Sequence, residues 1–143
     1  MREIKFRGRD IETGEWRYGF YYIESAPLVA IGKTKKDKYY IVFPGFADWN
    51  MPRMQQSEVC PGSIGEFTGL KDKNGKEIYE GDVLHQDNYS DWVVIWQDCG
   101  FHIYNQCNPG YFFTLVKSDR EVIGNIYENK ALLTEIESKG GVI

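Results

Sequence analysis

Thr68-Gly69-Leu70-Lys71-Asp72-Lys73-Asn74-Gly75-Lys76-Glu77-Ile78-Tyr79-Glu80-Gly81-Asp82-Val83 is the stretch whose reading decides the fold. Asn74-Gly75 sits between two short runs able to form strands. Both residues tolerate positive φ, so the spacing predicts a hairpin closed by a type I′ turn. Gly69 punctuates a strand end, Ile78 and Tyr79 begin the return strand, and Gly81-Asp82 redirects the chain into Val83-Leu84-His85. Every special residue in the block has a turn explanation, so it reads as a folding signature rather than a site.

Toward the C-terminus, four segments follow: Asp91–Trp96, Phe101–Tyr104, Tyr111–Val116 and Val122–Tyr127. Each is β-branched or aromatic and is bounded by Asp, Asn, Gly or Pro, as strands are. Beyond them Asn129 can cap a short helix over Lys130–Ile136, ended by Gly140-Gly141.

Toward the N-terminus, Ile4 and Phe6 alternate with Glu3, Lys5 and Arg7, the period of a half-buried strand. Asp10–Glu15 turns the chain, with Gly14 free to take positive φ. A second strand then carries Trp16, Tyr18, Phe20 and Tyr22 on one face, and the two form a hairpin. Leu28–Ile31 and Tyr39–Phe43 read as another strand pair with a lysine-rich tip. Residues 44–62, interrupted by Pro44, Gly45, Pro52, Pro61 and Gly62, read as irregular. That stretch divides the chain into an N-terminal β region, residues 1–62, and a C-terminal region, residues 63–143. The expected class is mainly β, with strands about ten residues apart favouring a small barrel or strongly bent sheets.

The chain has 143 residues, with 17 Lys+Arg against 21 Asp+Glu and a net charge of -4. It has 4 Trp, 10 Tyr and 8 Phe, enough large side chains for a real core. No apolar run is long enough to span a bilayer and Met1-Arg2-Glu3-Ile4-Lys5 lacks a signal-peptide core, so a soluble cytoplasmic protein with no membrane partner is expected. The acidic balance disfavours non-specific nucleic-acid binding through the overall field.

Cys60, Cys99 and Cys107 are an odd set at long spacings, which suits reduced thiols in a cytosol. A zinc site drawn from Cys99, Cys107, His85 and His102 lacks the tight spacing of paired cysteine ligands, so no metal and no cofactor is expected. Nothing marks either histidine and a cysteine as a nucleophilic pair. Asp82, Asp87, Asp91 and Asp98 read as turn chemistry between strands, and no catalytic residue is assigned.

Two features remain as candidates for partner binding. One is the basic tip, Lys33, Lys35, Lys36 and Lys38, echoed by Lys71, Lys73 and Lys76 at a second turn. The other is a set of rings, Trp49, Tyr89, Trp92, Trp96, Tyr104 and Tyr111, of which Trp49, Trp92 and Trp96 are the leading candidates. Alternation groups Trp92, Val94 and Trp96 opposite Val93 and Ile95, so this strand is apolar on both faces. It is therefore either buried twice over or turned toward another subunit, and a homo-oligomer is expected.

Three blocks, Met1–Arg7, Thr68–Val83 and Val122–Asn129, together resemble the YopX family of phage and prophage proteins in order and spacing. The sequence departs from the family pattern at Gly8-Arg9, where an Ala-Trp pair is usual, and at Lys130, where Pro is usual. The resemblance implies a phage-derived cytoplasmic protein of a bacterial host cell, whose C-terminal part is a small Src-homology-3-like barrel and which has no established activity. It brings no catalytic residues. The expected function is that of a non-enzymatic accessory protein binding or assembling with phage or host proteins; the alternative is a nucleic-acid-associated small β-barrel module.

Overall fold

A computed structural model describes residues 1–25, 36–46, 49, 51–87, 91–105, 119–129 and the backbone of 112–114. Eleven strands follow in chain order: β1 Phe6–Arg9, β2 Trp16–Glu24, β3 Lys38–Phe46, β4 Pro52–Glu58, β5 Gly65–Lys71, β6 Glu77–Tyr79, β7 Asp82–His85, β8 Trp92–Gln97, β9 Gly100–Tyr104, β10 Phe112–Thr114 and β11 Glu121–Asn125. All pairing is antiparallel. The fold is mainly β, and the described residues include no α-helix. The expected terminal helix over 130–136 and the strand over 28–31 lie outside the described residues.

The chain divides into two compact units, one of Ile4–Glu66 and one that comprises Phe67–Ile143 together with Met1–Glu3. In the first, the strands are ordered β4-β3-β2-β1, and the first residues of β5 pair on β1. The expected β1–β2 hairpin is present. Asp10 Oδ1 accepts the amides of Glu12 and Thr13 at 2.8 and 2.9 Å, and Gly14 takes φ +72°. Those two amides, Thr13 first, hold the Asp10 carboxyl below its ordinary value despite the opposing effect of burial.

Gly19 explains how β2 changes partner. It sits opposite Phe6 of β1, the next residue Phe20 is opposite Val42 of β3, and a Cβ on Gly19 would lie 2.0 Å from the Val42 carbonyl. Ile41 and Val59 are fully buried beside Gly8, where any side chain would displace them. An Asp10–Val59 bridge ties the end of the first strand back to the end of the fourth.

The expectation that residues 44–62 are irregular is corrected. β3 runs through Pro44 and Gly45 to Phe46, and β4 pairs with it from Pro52 to Glu58 without a register shift. Proline is tolerated here because it needs no donor at these places. Pro44 lies past the end of the β2–β3 ladder, and Pro52 is the first residue of an edge strand.

In the second unit, β5 pairs with β6 from Phe67 onward, and a five-stranded sheet has the order β10-β9-β8-β7-β11. One face of that sheet carries Leu84, Val94, Ile103 and Val122, packed with Ile78 and half-buried Leu70 from β6 and β5. The other face carries Val83 and Val93, with Ile95 and Ile126 against them. Val93 and Val94 of β8 are therefore buried on opposite sides within one unit, while Trp96 stays exposed. The barrel expectation is not met: no closed barrel forms among the described residues, because β10 and β11 end their sheet without pairing to each other.

The central turn also differs in kind from the expectation. Only Gly75 has positive φ, +82°, and its amide donates to the Asp72 carbonyl at 3.0 Å while the Asp72 amide donates to the Lys76 carbonyl at 2.8 Å. This is a three-residue loop, a type I turn followed by a left-handed glycine. The loop with two positive φ values lies elsewhere, at Asp98 (+50°) and Cys99 (+60°) between paired Gln97 and Gly100. A two-residue connection forces that geometry on Cys99, which does not favour it, beside Asp98, which tolerates it. Gly69, expected at a strand end, is instead inside β5, at φ +85° where the pairing shifts between Phe67 and Lys71.

Candidate functional site

β2 presents large side chains on the face it shares with β3 and β4. Tyr18, Phe20 and Tyr22 are 48%, 60% and 40% exposed. The register puts Phe20 opposite Val42, Tyr22 opposite Tyr40, Val42 opposite Gln56 and Pro44 opposite Met54, so all share this face. Tyr22 and Tyr40 stack with centroids 5.1 Å apart, and the Tyr22 hydroxyl donates to Gln56 Oε1 at 2.6 Å. The Tyr22 and Tyr40 rings are thus held in place rather than swinging in solvent. Loss of solvent, then the nearby Glu24 carboxylate, pushes the Tyr40 phenol above its ordinary value.

At the end of the same strands a cleft of about 830 Å³ opens, lined by Phe46 and Met54 from this face and by Arg17, Phe43, Arg53 and Gln55 from the other. The Arg17 guanidinium lies over the Phe43 ring at 5.2 Å and is held by Glu15 at 3.1 Å and Asp10 at 3.7 Å. Phe46 is 71% exposed.

Of the residues expected to bind partners, Lys33 and Lys35 lie outside the described residues. Lys36 and Lys38 are exposed and help line a second hollow with Tyr39, Val59 and Pro61, and Lys38 is 3.9 Å from Glu58. Lys73 pairs with Glu121 at 3.4 Å. The two lysine tips belong to different units. Trp49 is the most open ring, at 93% exposure. Trp92 is half-buried under Arg120, 6.0 Å from its centroid, and packs on the core. Trp96 meets Phe101 edge-on at 4.8 Å and is half-exposed. Trp49 stands in the first unit, and Trp92 and Trp96 in the second.

The acidic candidates have separate roles. Asp82 is buried and its Oδ2 accepts the Tyr79 amide at 2.8 Å. Asp91 lies 2.7 Å and Asp87 3.5 Å from the two ring nitrogens of His85, and the Asp91 contact, first among the causes, raises the His85 pKa. Asp98 serves its turn. No group of three or more His, Cys, Asp or Glu arranged to hold a metal occurs among the described residues. Cys60 and Cys99 are exposed thiols, and Cys107 lies outside the described residues. His102 contacts the Gly100 carbonyl at 3.1 Å.

The aromatic face of β2 escaped the sequence reading as a site because alternation alone does not tell a core face from an exposed one. A signal was present. The run Tyr18–Ile23 has large apolar side chains at both parities, the same feature that drew notice in β8. Arg53 and Met54 were hidden in the stretch read as irregular.

A family model described as YopX protein matches residues 5–134. Comparison with curated proteins finds no match. Among solved structures, the crystal structure of protein EF1440 from Enterococcus faecalis is similar at a TM-score of 0.51 and 21% identity, covering 93% of this chain and 99% of that one. Identity at that level speaks for the fold alone. No helix among the described residues is long and apolar enough to cross a membrane.

Proposed function

We propose that this chain, which belongs to the YopX family, is a phage- or prophage-derived accessory protein that works in the host cytoplasm by binding another protein, without catalysis of its own. The observation that carries this reading is the exposed ring row Tyr18, Phe20 and Tyr22 on a paired strand, with Tyr22 fixed by its stack on Tyr40. Rings already ordered lose little rotamer freedom on binding, and each brings a large area to an interface. The row is uncharged along its middle, which suits a protein surface with an apolar centre. Asp82 and Asp72 already accept backbone amides, which supports a structural rather than a hydrolytic role for the acidic turns.

The test is affinity capture from infected cells with the wild-type chain and a Phe20→Ser/Tyr22→Ser variant, with circular dichroism confirming that both are folded. A protein held by the first and lost by the second is expected. Identical captured sets from two folded chains would overturn the reading.

A nucleic-acid-associated role is the second reading, favoured by exposed Lys36 and Lys38 lining one hollow. The net charge of -4 and the nearness of Glu58 to Lys38 weigh against it. Its test is retention of single- or double-stranded DNA at low salt, lost steeply as salt rises.

A further inference from the structure

The cleft at the end of β2, β3 and β4 holds two guanidinium groups in different states. Arg17 is paired with Glu15 and Asp10 and lies over the Phe43 ring. Arg53, exposed on edge strand β4, has no carboxylate within ion-pair distance among the described residues. It stands opposite Gly45, where the room left by the missing side chain is taken by the Gln55 side chain, whose Nε2 donates to the Phe46 carbonyl at 3.4 Å. Exposed Phe46 and Met54, 71% and 56% accessible, form the apolar wall on the side that continues into the aromatic face.

From this we infer that the cleft seats an acidic segment of the protein partner: one carboxylate taken by Arg53 beside an apolar side chain resting on Phe46 and Met54. A guanidinium matches a carboxylate with two parallel N–H donors. The count of charges separates this occupant from nucleic acid. A strand of phosphates needs several uncompensated cations, whereas the described residues of this cleft offer one, on a chain of net charge -4. The inference rests on the protein-binding reading and adds the chemistry of the partner's segment.

The probes are the capped tripeptide Leu-Glu-Leu, its glutamine counterpart Leu-Gln-Leu, and a ten-nucleotide oligothymidylate, titrated into the full chain and followed by the NMR signals of the Arg53 Nε–H and the Gln55 side-chain amide. Saturable shifts with the glutamate peptide are expected, about fivefold tighter than with the glutamine peptide, a preference that Arg53→Gln abolishes. Equal affinity for the two peptides, no shift at either signal, or tighter binding of the oligonucleotide would overturn it. Arg53 lies on an exposed edge, so Arg53→Gln folds. If capture from infected cells fails for Phe20→Ser/Tyr22→Ser yet survives Arg53→Gln, the binding reading stands and the acidic-segment inference falls.

Discussion

Val122 donates its backbone amide to Oδ2 of Asp72 at 3.0 Å, across 50 residues of sequence. The other oxygen of the same carboxylate accepts the amides of Asn74 and Lys76 at 2.8 and 2.9 Å. One buried side chain thus closes the central turn and fastens it to β11. This joins two of the three blocks by which the family is recognised. Asn125 in the late block does similar local work, its Oδ1 accepting the amides of Tyr127 and Glu128 at 3.0 and 2.9 Å.

Asp72→Ala removes the acceptor of three amides and is expected to cost about 3 kcal/mol in urea unfolding. Burial pushes the Asp72 carboxyl up, but the amides of Val122, Lys76 and Asn74 outweigh it and hold the group below its ordinary value. Its contribution is therefore present above the unfolded carboxyl pKa, about 3.9, and is lost as pH falls through the folded value. The gap between wild type and variant should be full at neutral pH and shrink toward pH 2. A gap unchanged across that range would show that the charge is not involved.

Gly81→Ala and Gly75→Ala separate strain from collision. Both glycines have positive φ, +88° and +82°. A Cβ on Gly81 would also lie 2.8 Å from Tyr127 Cε2, whereas one on Gly75 meets nothing within 4 Å. Gly81 is further fixed by its amide on the Val94 carbonyl and its carbonyl on the Ile126 amide. Gly75→Ala should cost about 1 kcal/mol and Gly81→Ala about 3 kcal/mol by chemical denaturation. Equal losses would mean that the ring moves aside freely.

Cys99→Gly should stabilise the protein by about 1 kcal/mol, because Cys99 holds φ +60° in the two-residue β8–β9 turn, a conformation glycine adopts without strain. Thermal unfolding with the thiol kept reduced reads this directly. A lower midpoint for the variant would place the entropy glycine adds to the unfolded chain above the strain it relieves.

His85 is expected to make stability depend on pH near neutrality. Its partners are Asp91 at 2.7 Å and Asp87 at 3.5 Å, with Glu121 beside it in register on β11 and Lys73 on Glu121. Asp91 raises the His85 pKa, so the stabilisation is complete below the unfolded value of about 6.5 and is lost as pH rises through the folded value. His85→Gln should lower the unfolding midpoint at pH 6 and match the wild type in the alkaline range. A difference that grows with pH would contradict this sign.

Much of the architecture was legible in the residues. The β1–β2 hairpin, the strands around Asn74-Gly75 and those at Trp92–Trp96 and Phe101–Tyr104 announce themselves by alternation and turn residues, because those signals act within a few neighbours. The failures share a cause. Pro44, Gly45 and Pro52 break a strand only where a partner needs their missing donor or side chain, and whether one does depends on which edge the strand occupies. The candidate site failed for the same reason, since Tyr18, Phe20 and Tyr22 carry one alternation pattern whether a second layer covers them or not.

The amino-acid sequence by itself determined the β class, the positions of most turns and the family, since each rests on local conformational preference or on residue order. Only the tertiary structure decided that Val93 and Val94 of β8 are buried on opposite faces, that the rings of β2 stay open, and that Arg53 has no carboxylate partner among the described residues whereas Arg17 has two. Those facts are set by which distant segments come to lie together, and the free energy of burial and of ion pairing depends on that proximity rather than on any residue's identity alone.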